Sequence, residues 1–222
     1  MVERNKASVP GNSVRPGVTR RLLLLLGEFV GLTALMVGAA AVVRFDVVHL
    51  GNILTERSVT QIAQALCVLL ASVIFAVGAV REPGKRGYLT VLAAIFLAMF
   101  IRENDGPLDA VFHGFWVIPV VIVLIACLWI VLRNRTSLTT PLLAHAETRS
   151  FSYMLAGVVI VTVFSRMFGT GSFWREVMGP DYKAVHKMVP QEGVELLGYV
   201  LVAFGAVMYR RAGFGDGQGG KR

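Results

Sequence analysis

Only two cysteines occur among the 222 residues, Cys67 and Cys127, and both sit inside apolar runs. They read as small buried side chains, which excludes a disulfide framework and a thiolate metal site. Charge is sparse as well: 16% of residues are Asp, Glu, Lys or Arg, while 55% are hydrophobic. Soluble domains carry roughly 25% charged residues, and one with this much apolar surface would aggregate. No Gly-rich phosphate loop, H-E-x-x-H, G-x-S-x-G or C-x-x-C is present, so the commonest nucleotide, zinc-protease, serine-hydrolase and dithiol chemistries lack their motifs. The four histidines form no pair at haem-like positions on facing spans, which argues against a membrane cytochrome. No apolar run is broken at its middle by paired Gly or Pro, as the discontinuous helices of secondary transporters are.

What the chain does have is apolar length. Six segments, 22–43, 59–80, 88–101, 115–132, 151–168 and 194–209, predict an all-α polytopic membrane protein folded as a compact bundle of six transmembrane helices. Residues 1–21 and 212–222 read as a basic and a Gly-rich disordered tail, both cytoplasmic. The basic front and Ala39-Ala40-Ala41 of the first segment imitate a signal peptide, but its length and Glu28 favour an uncleaved anchor. The third segment has only fourteen residues. At about 1.5 Å per residue it falls short of a ~30 Å hydrocarbon core unless Arg102 snorkels or the bilayer thins.

Charge placement sets the expected orientation. The net charge of +8 could suggest nucleic acid, but the basic residues stand at the ends of apolar segments, where they anchor to anionic lipid and control topology. With the amino terminus inside, fifteen of the twenty-two Lys and Arg residues are cytoplasmic. The expectation is therefore an inner-membrane protein of bacterial type with both termini in the cytoplasm, whose first partner is the lipid bilayer. Nine of the fourteen acids then fall on the external side, with His49, His113 and His186.

Four of those groups lie in one stretch, Arg102 to His113. Pro107 suits the first turn of a helix capped by Asn104 or Asp105, so the fourth helix is expected to begin outside the membrane with Asp109 and His113 one turn apart. Such a pair can fix an imidazole tautomer, act as acid and base, or share a metal. With Glu103 and Asp105 close by, the oxygen and nitrogen donors suit Zn²⁺ or another divalent ion. His186, Glu192 and Glu195 in and after the last external loop extend this set. Glu192, Glu195 and Tyr199 share one helix face, and Tyr199 lies deep enough to face the bundle interior. Glu192 could equally be compensating a helix dipole. Arg44, Arg102 and Arg166 each end an outward-running helix and could ring an anionic lipid headgroup, or simply snorkel. Glu28 is an intramembrane carboxylate beside a small-residue stripe of Gly27, Gly31, Ala34, Gly38 and Ala41, far from the external cluster. Phe112, Phe115, Trp116, Phe173 and Trp174 read as an aromatic belt.

The external Asp, His and Glu layout distantly resembles the ceramidase and progestin-receptor group of membrane hydrolases. Those proteins usually have seven spans and a late H-x-x-x-H, where this chain has six and Glu192-Gly-Val-Glu195. Two functions are expected from the residues. One is a metal-assisted hydrolase or transferase acting on a lipid or lipid-linked substrate. In it Asp109, His113 and Glu195 would be catalytic, and the ligands would come from Glu103, Asp105, Asp109, His113, His186, Glu192 and Glu195. The other is a non-catalytic membrane-protein partner or assembly factor, with a small transporter or channel behind both.

Overall fold

The computed structural model describes residues 16–51 and 58–213, and among these every regular element is helical. In order they are α1 (Pro16–Val48), α2 (Val59–Arg81), α3 (Arg86–Glu103), α4 (Asp105–Asp109), α5 (Val117–Arg133), α6 (Thr139–Ala146), α7 (Arg149–Val159), α8 (Ser165–Phe168), α9 (Gly171–Met178) and α10 (Val185–Gly213). Five stretches are long and apolar enough to cross a membrane: Val18–Val48, Val59–Arg81, Pro83–Glu103, Arg149–Phe168 and Val185–Gly213. A sixth crossing arises if α5 is joined to the segment Arg135–Ala146, which turns away from it by 101°. The expected tails, 1–21 and 212–222, lie mostly outside the described residues.

The chain divides into two units, residues 1–35 and 36–222. The first holds the front of α1, Glu28 included. Within the second, α2, α3, α7 and α10 meet around Val68, Ala71, Phe75, Leu89, Phe96, Met154, Val161, Tyr199 and Val202. Two of these helices come together without side chains between them. A Cβ on Gly198 of α10 would lie 2.8 Å from the Gly157 carbonyl oxygen of α7, and one on Gly205 would lie 2.8 Å from the Ser150 carbonyl oxygen. Such approach is how apolar helices gain packing where lipid removes the hydrophobic drive between them. By contrast a Cβ on Gly38 would meet nothing within 4 Å, so no helix packs closely at that point of the small-residue stripe. α5 buries no residue and turns Ile122, Ile125 and Leu128 outward, as a lipid-facing helix does.

The structure departs from the sequence reading at several helix ends, and α1, at Pro16–Val48, also runs beyond the expected 22–43 on both sides. α3 is longer than 88–101, because the charged residues Arg86, Arg102 and Glu103 are helical too. Its first turn is held by the Ser137 hydroxyl, which accepts the Gly87 amide hydrogen at 2.8 Å. The expected start of the fourth helix is overturned. α4 stops at Asp109, and the chain passes through turns, with Gly114 at φ +87°, before α5 begins at Val117. Positive φ is open to glycine at little cost, and the Asp109 carboxylate accepts the Gly114 amide hydrogen at 3.0 Å to close the turn. α10 begins at Val185 rather than 194 and carries Pro190 inside it. Glu192 therefore stands about two turns into the helix, which removes dipole compensation at the first turn as its explanation.

Candidate functional site

At one end of the second unit, α10 presents Gln191, Glu192, Glu195 and Tyr199 to α2, α3 and α8. Glu195 is only 4% exposed. One of its oxygens lies 3.0 Å from the Ser165 hydroxyl, 3.2 Å from the donating Gln191 amide and 3.8 Å from the Arg166 guanidinium. Ser165 and Arg166 owe their placement to a π-helical turn, Ile160–Phe164, inserted between α7 and α8. The extra residue in such a turn shifts everything after it around the helix axis. The close α7–α10 crossing at Gly157 and Gly198 lies just below and brings the two helices within reach of each other.

The second carboxylate comes from the end of α3. Glu103 is buried and accepts the Tyr199 hydroxyl hydrogen at 2.6 Å, while its carbonyl accepts from the Gln61 side chain at 3.1 Å. The third is Glu192, whose carboxylate and backbone carbonyl both accept from the Gln64 amide nitrogen at 3.0 Å. Gln64 is fully buried, and its amide oxygen has no hydrogen-bond partner. The charges of Glu103, Glu192 and Glu195 act on one another, and those of Arg102 and Arg166 reach Glu103. Three acids, three glutamines, a serine and a tyrosine thus converge beside the half-exposed Arg166.

Of the residues singled out from sequence, Glu103, Glu192, Glu195 and Arg166 come together, and Tyr199 joins them as expected from its helix face. The others do not. Asp105 pairs with Arg102 at 2.6 Å. Asp109 and His113 do approach, at 3.3 Å, but the His113 side chain is fully exposed. The His186 ring accepts the Lys183 amide hydrogen at 3.1 Å within its own loop. Arg44 is exposed, and its side chain makes no hydrogen bond or ion pair among the described residues, so no three-arginine ring is formed by contact. Among the described residues no group of three or more His, Cys, Asp or Glu is disposed to hold a metal ion. The seven-residue ligand set expected from sequence therefore does not assemble: its carboxylates divide between a buried cluster and an exposed turn.

Four residues with clear roles escaped the sequence reading. Gln64 and Ser165 complete the cluster, and their signal was present: polar residues inside runs that are otherwise apolar, Gln64 one turn after Thr60 and Gln61. Asp46, fully buried, caps α2 from the end of α1. It accepts the amide hydrogens of Val59 at 3.0 Å and Thr60 at 2.6 Å, and also the Thr60 hydroxyl hydrogen. His145 works at the other end of the unit, in α6, past the 101° turn that follows α5. Its Nε2 donates to the Ser150 hydroxyl at 3.0 Å, because that hydroxyl gives its own hydrogen to the Gly205 carbonyl at 2.8 Å. Its Nδ1 then accepts from the Tyr88 hydroxyl at 2.7 Å. This is a neutral imidazole tying α3, α6, α7 and α10 together, and burial, aided by the charge of Lys85, pushes its pKa down to about 4.

Comparison of the chain with protein-family models, with curated proteins and with solved structures gave no match. The class defined by fold and site is thus an all-helical protein with five to six helices apolar enough to span a membrane and a buried carboxylate cluster at one end.

Proposed function

We propose that this is a multi-pass inner-membrane protein, both termini cytoplasmic, that exchanges a small cation, foremost the proton, at the Glu103–Glu192–Glu195 cluster on its external side. The observation that carries the reading is the convergence of two buried carboxylates, Glu103 and Glu195, and the half-buried Glu192, with Arg166 3.8 Å from Glu195 as the cluster's ion pair. Uncompensated charge in a low-dielectric interior is costly, so the excess acid must be answered by a cation. Intramembrane acids arranged in this way are the material of proton and ion pathways.

The hydrogen bonds favour the proton. Ser165 has one hydroxyl hydrogen and two acceptors at hand, the Val161 carbonyl at 2.6 Å and Glu195 at 3.0 Å. A proton on Glu195 satisfies both contacts, with the carboxyl donating to Ser165 and Ser165 donating to Val161. The orientation rests on the fifteen of twenty-two basic residues that lie inside in this topology. The lipid hydrolase or transferase reading depended on Asp109 and His113 joining Glu195, and an exposed histidine in a separate turn is a poorer partner than Ser165 and Arg166.

Infrared titration of the purified protein in lipid nanodiscs tests the proposal. A carboxylic-acid carbonyl band that titrates with pH is expected in the wild type and is expected to weaken in Glu195→Gln and Glu192→Gln. A spectrum with no titrating band, or one unchanged by both substitutions, removes the proton reading. A reporter fused after Arg211 that is active only outside the cytoplasm removes the orientation.

A further inference from the structure

A second feature lies near the His145 end of the bundle and plays no part in the carboxylate cluster. A groove of about 500 Å³ runs between α2, α3 and α5, walled by Ala76, Ala79, Val80, Ala93 and Ile130, with Arg86 and Arg133 among its lining. Small alanines make the groove, and its apolar wall suits a hydrocarbon chain. The two guanidinium groups are each held in place without using a carboxylate. Arg86 donates through Nε to the Ala79 carbonyl at 3.1 Å, which leaves its two terminal nitrogens free of that bond. Arg133 packs over the Trp129 ring, its guanidinium carbon 3.9 Å from the ring centroid. Among the described residues neither arginine has an ion pair, whereas the nearby acid Glu82 is taken by Lys85 at 2.7 Å.

We infer that this groove is a binding site for a phospholipid with a net negative headgroup, the phosphate held between Arg86 and Arg133 and one acyl chain lying along the alanine wall. The charge argues for the occupant. Two cations fixed by a carbonyl and an indole, without a carboxylate, at the end of an apolar channel match a phosphate joined to hydrocarbon. The guanidinium fork binds phosphate oxygens in pairs, and basic pockets between transmembrane helices are where anionic headgroups are selected. In the orientation proposed above the lipid belongs to the cytoplasmic leaflet, but the site stands on its own geometry.

The test compares binding of phosphatidylglycerol and phosphatidylcholine to the full chain, by native mass spectrometry and by thermal stability in mixed micelles. The wild type is expected to retain phosphatidylglycerol preferentially and to be stabilised by it. In Arg86→Gln/Arg133→Gln that preference should fall on the order of thirtyfold, from the loss of two basic contacts. Ala76→Phe is the second arm. It fills the wall from an exposed position without altering charge, and should release the bound lipid while the unliganded protein stays folded. Arg81→Gln, which removes a neighbouring positive charge outside the groove, should leave the preference intact. Equal loss in Arg81→Gln overturns the site in favour of diffuse surface attraction. Undiminished preference in the double variant, or a lipid retained in Ala76→Phe, overturns it outright.

Discussion

Gly198→Ala is the substitution whose consequences the structure specifies most closely. The added methyl carbon would lie 2.6 Å from the Val161 side chain and 2.8 Å from the Gly157 carbonyl oxygen. The valine methyl could rotate aside, but the carbonyl belongs to the α7 backbone and cannot move alone. α7 and α10 must therefore separate, and the helix continuing from α7 carries the π turn, Ser165 and Arg166. Overpacking of this kind costs about 1–3 kcal/mol, which for a chain of this size corresponds to several degrees in unfolding temperature. Gly38→Ala serves as the control. It places the same methyl on a helix where nothing lies within 4 Å, and should be neutral or raise stability by up to ~1 kcal/mol through helix propensity. Thermal unfolding of both variants in one detergent, followed by circular dichroism, gives the comparison. Gly198→Ala should also disturb the titrating carboxyl band, because the Ser165–Glu195 contact depends on that crossing. Equal stabilities for the two variants would refute the packing argument. A destabilised Gly198→Ala with an unaltered band would refute the claim that the crossing sets the cluster.

Three further outcomes follow from individual contacts. Tyr199→Phe removes the hydroxyl that donates to Glu103 at 2.6 Å and leaves a buried acceptor without its donor, so stability should fall by about 1.5–3 kcal/mol, measured by the same unfolding experiment. Asp46→Ala strips the cap from α2 at a cost of roughly 1–2 kcal/mol. Hydrogen exchange should show the Val59 and Thr60 amides opening faster, while those in the middle of α2 stay protected. His145 has its pKa depressed to about 4 from an unfolded value near 6.5, so the unfolded chain binds the proton first. Its neutral network is fully stabilising above about pH 6.5 and is lost progressively as the pH falls towards 4. Unfolding temperature measured across that window should drop in the wild type more steeply than in His145→Gln, and parallel curves would remove the assignment.

Much of this architecture is legible in the chain because apolar length is a one-dimensional signal. The apolar segment 59–80 lies within Val59–Arg81 and 151–168 within Arg149–Phe168, both long and apolar enough to cross a membrane. Where hydropathy was the only guide it ended helices too early. Arg86, Arg102 and Glu103 are charged and were read as flanks, yet they extend α3 because local partners satisfy its ends. The turn after Asp109 was missed for a related reason. Pro107 and the Asp109–His113 spacing speak for a helix, while the single glycine that breaks it, Gly114, carries no mark of its positive φ in the sequence.

The site divides the same way. Glu192, Glu195 and Tyr199 share a helix face by spacing alone, and Glu195 is conspicuous because an acid within an apolar run needs a partner. By itself, then, the sequence determined that the protein is helical and rich in segments apolar enough to span a membrane, and that a few acids near one set of helix ends would need company. Only the tertiary structure decided which company. Gln64 and Ser165 are 128 and 30 residues from the acids they contact, Glu192 and Glu195, and Glu103 is 96 residues from its partner Tyr199. Ser165 is brought there by a glycine-on-glycine crossing and a π turn, and Gln64 and Glu103 by the packing of α2 and α3 against α10, all of which depend on three-dimensional fit and leave no periodic trace. Asp109 and His113, four residues apart in the chain, were separated from the cluster by one local turn, because a side chain's partners are set by where the backbone carries it.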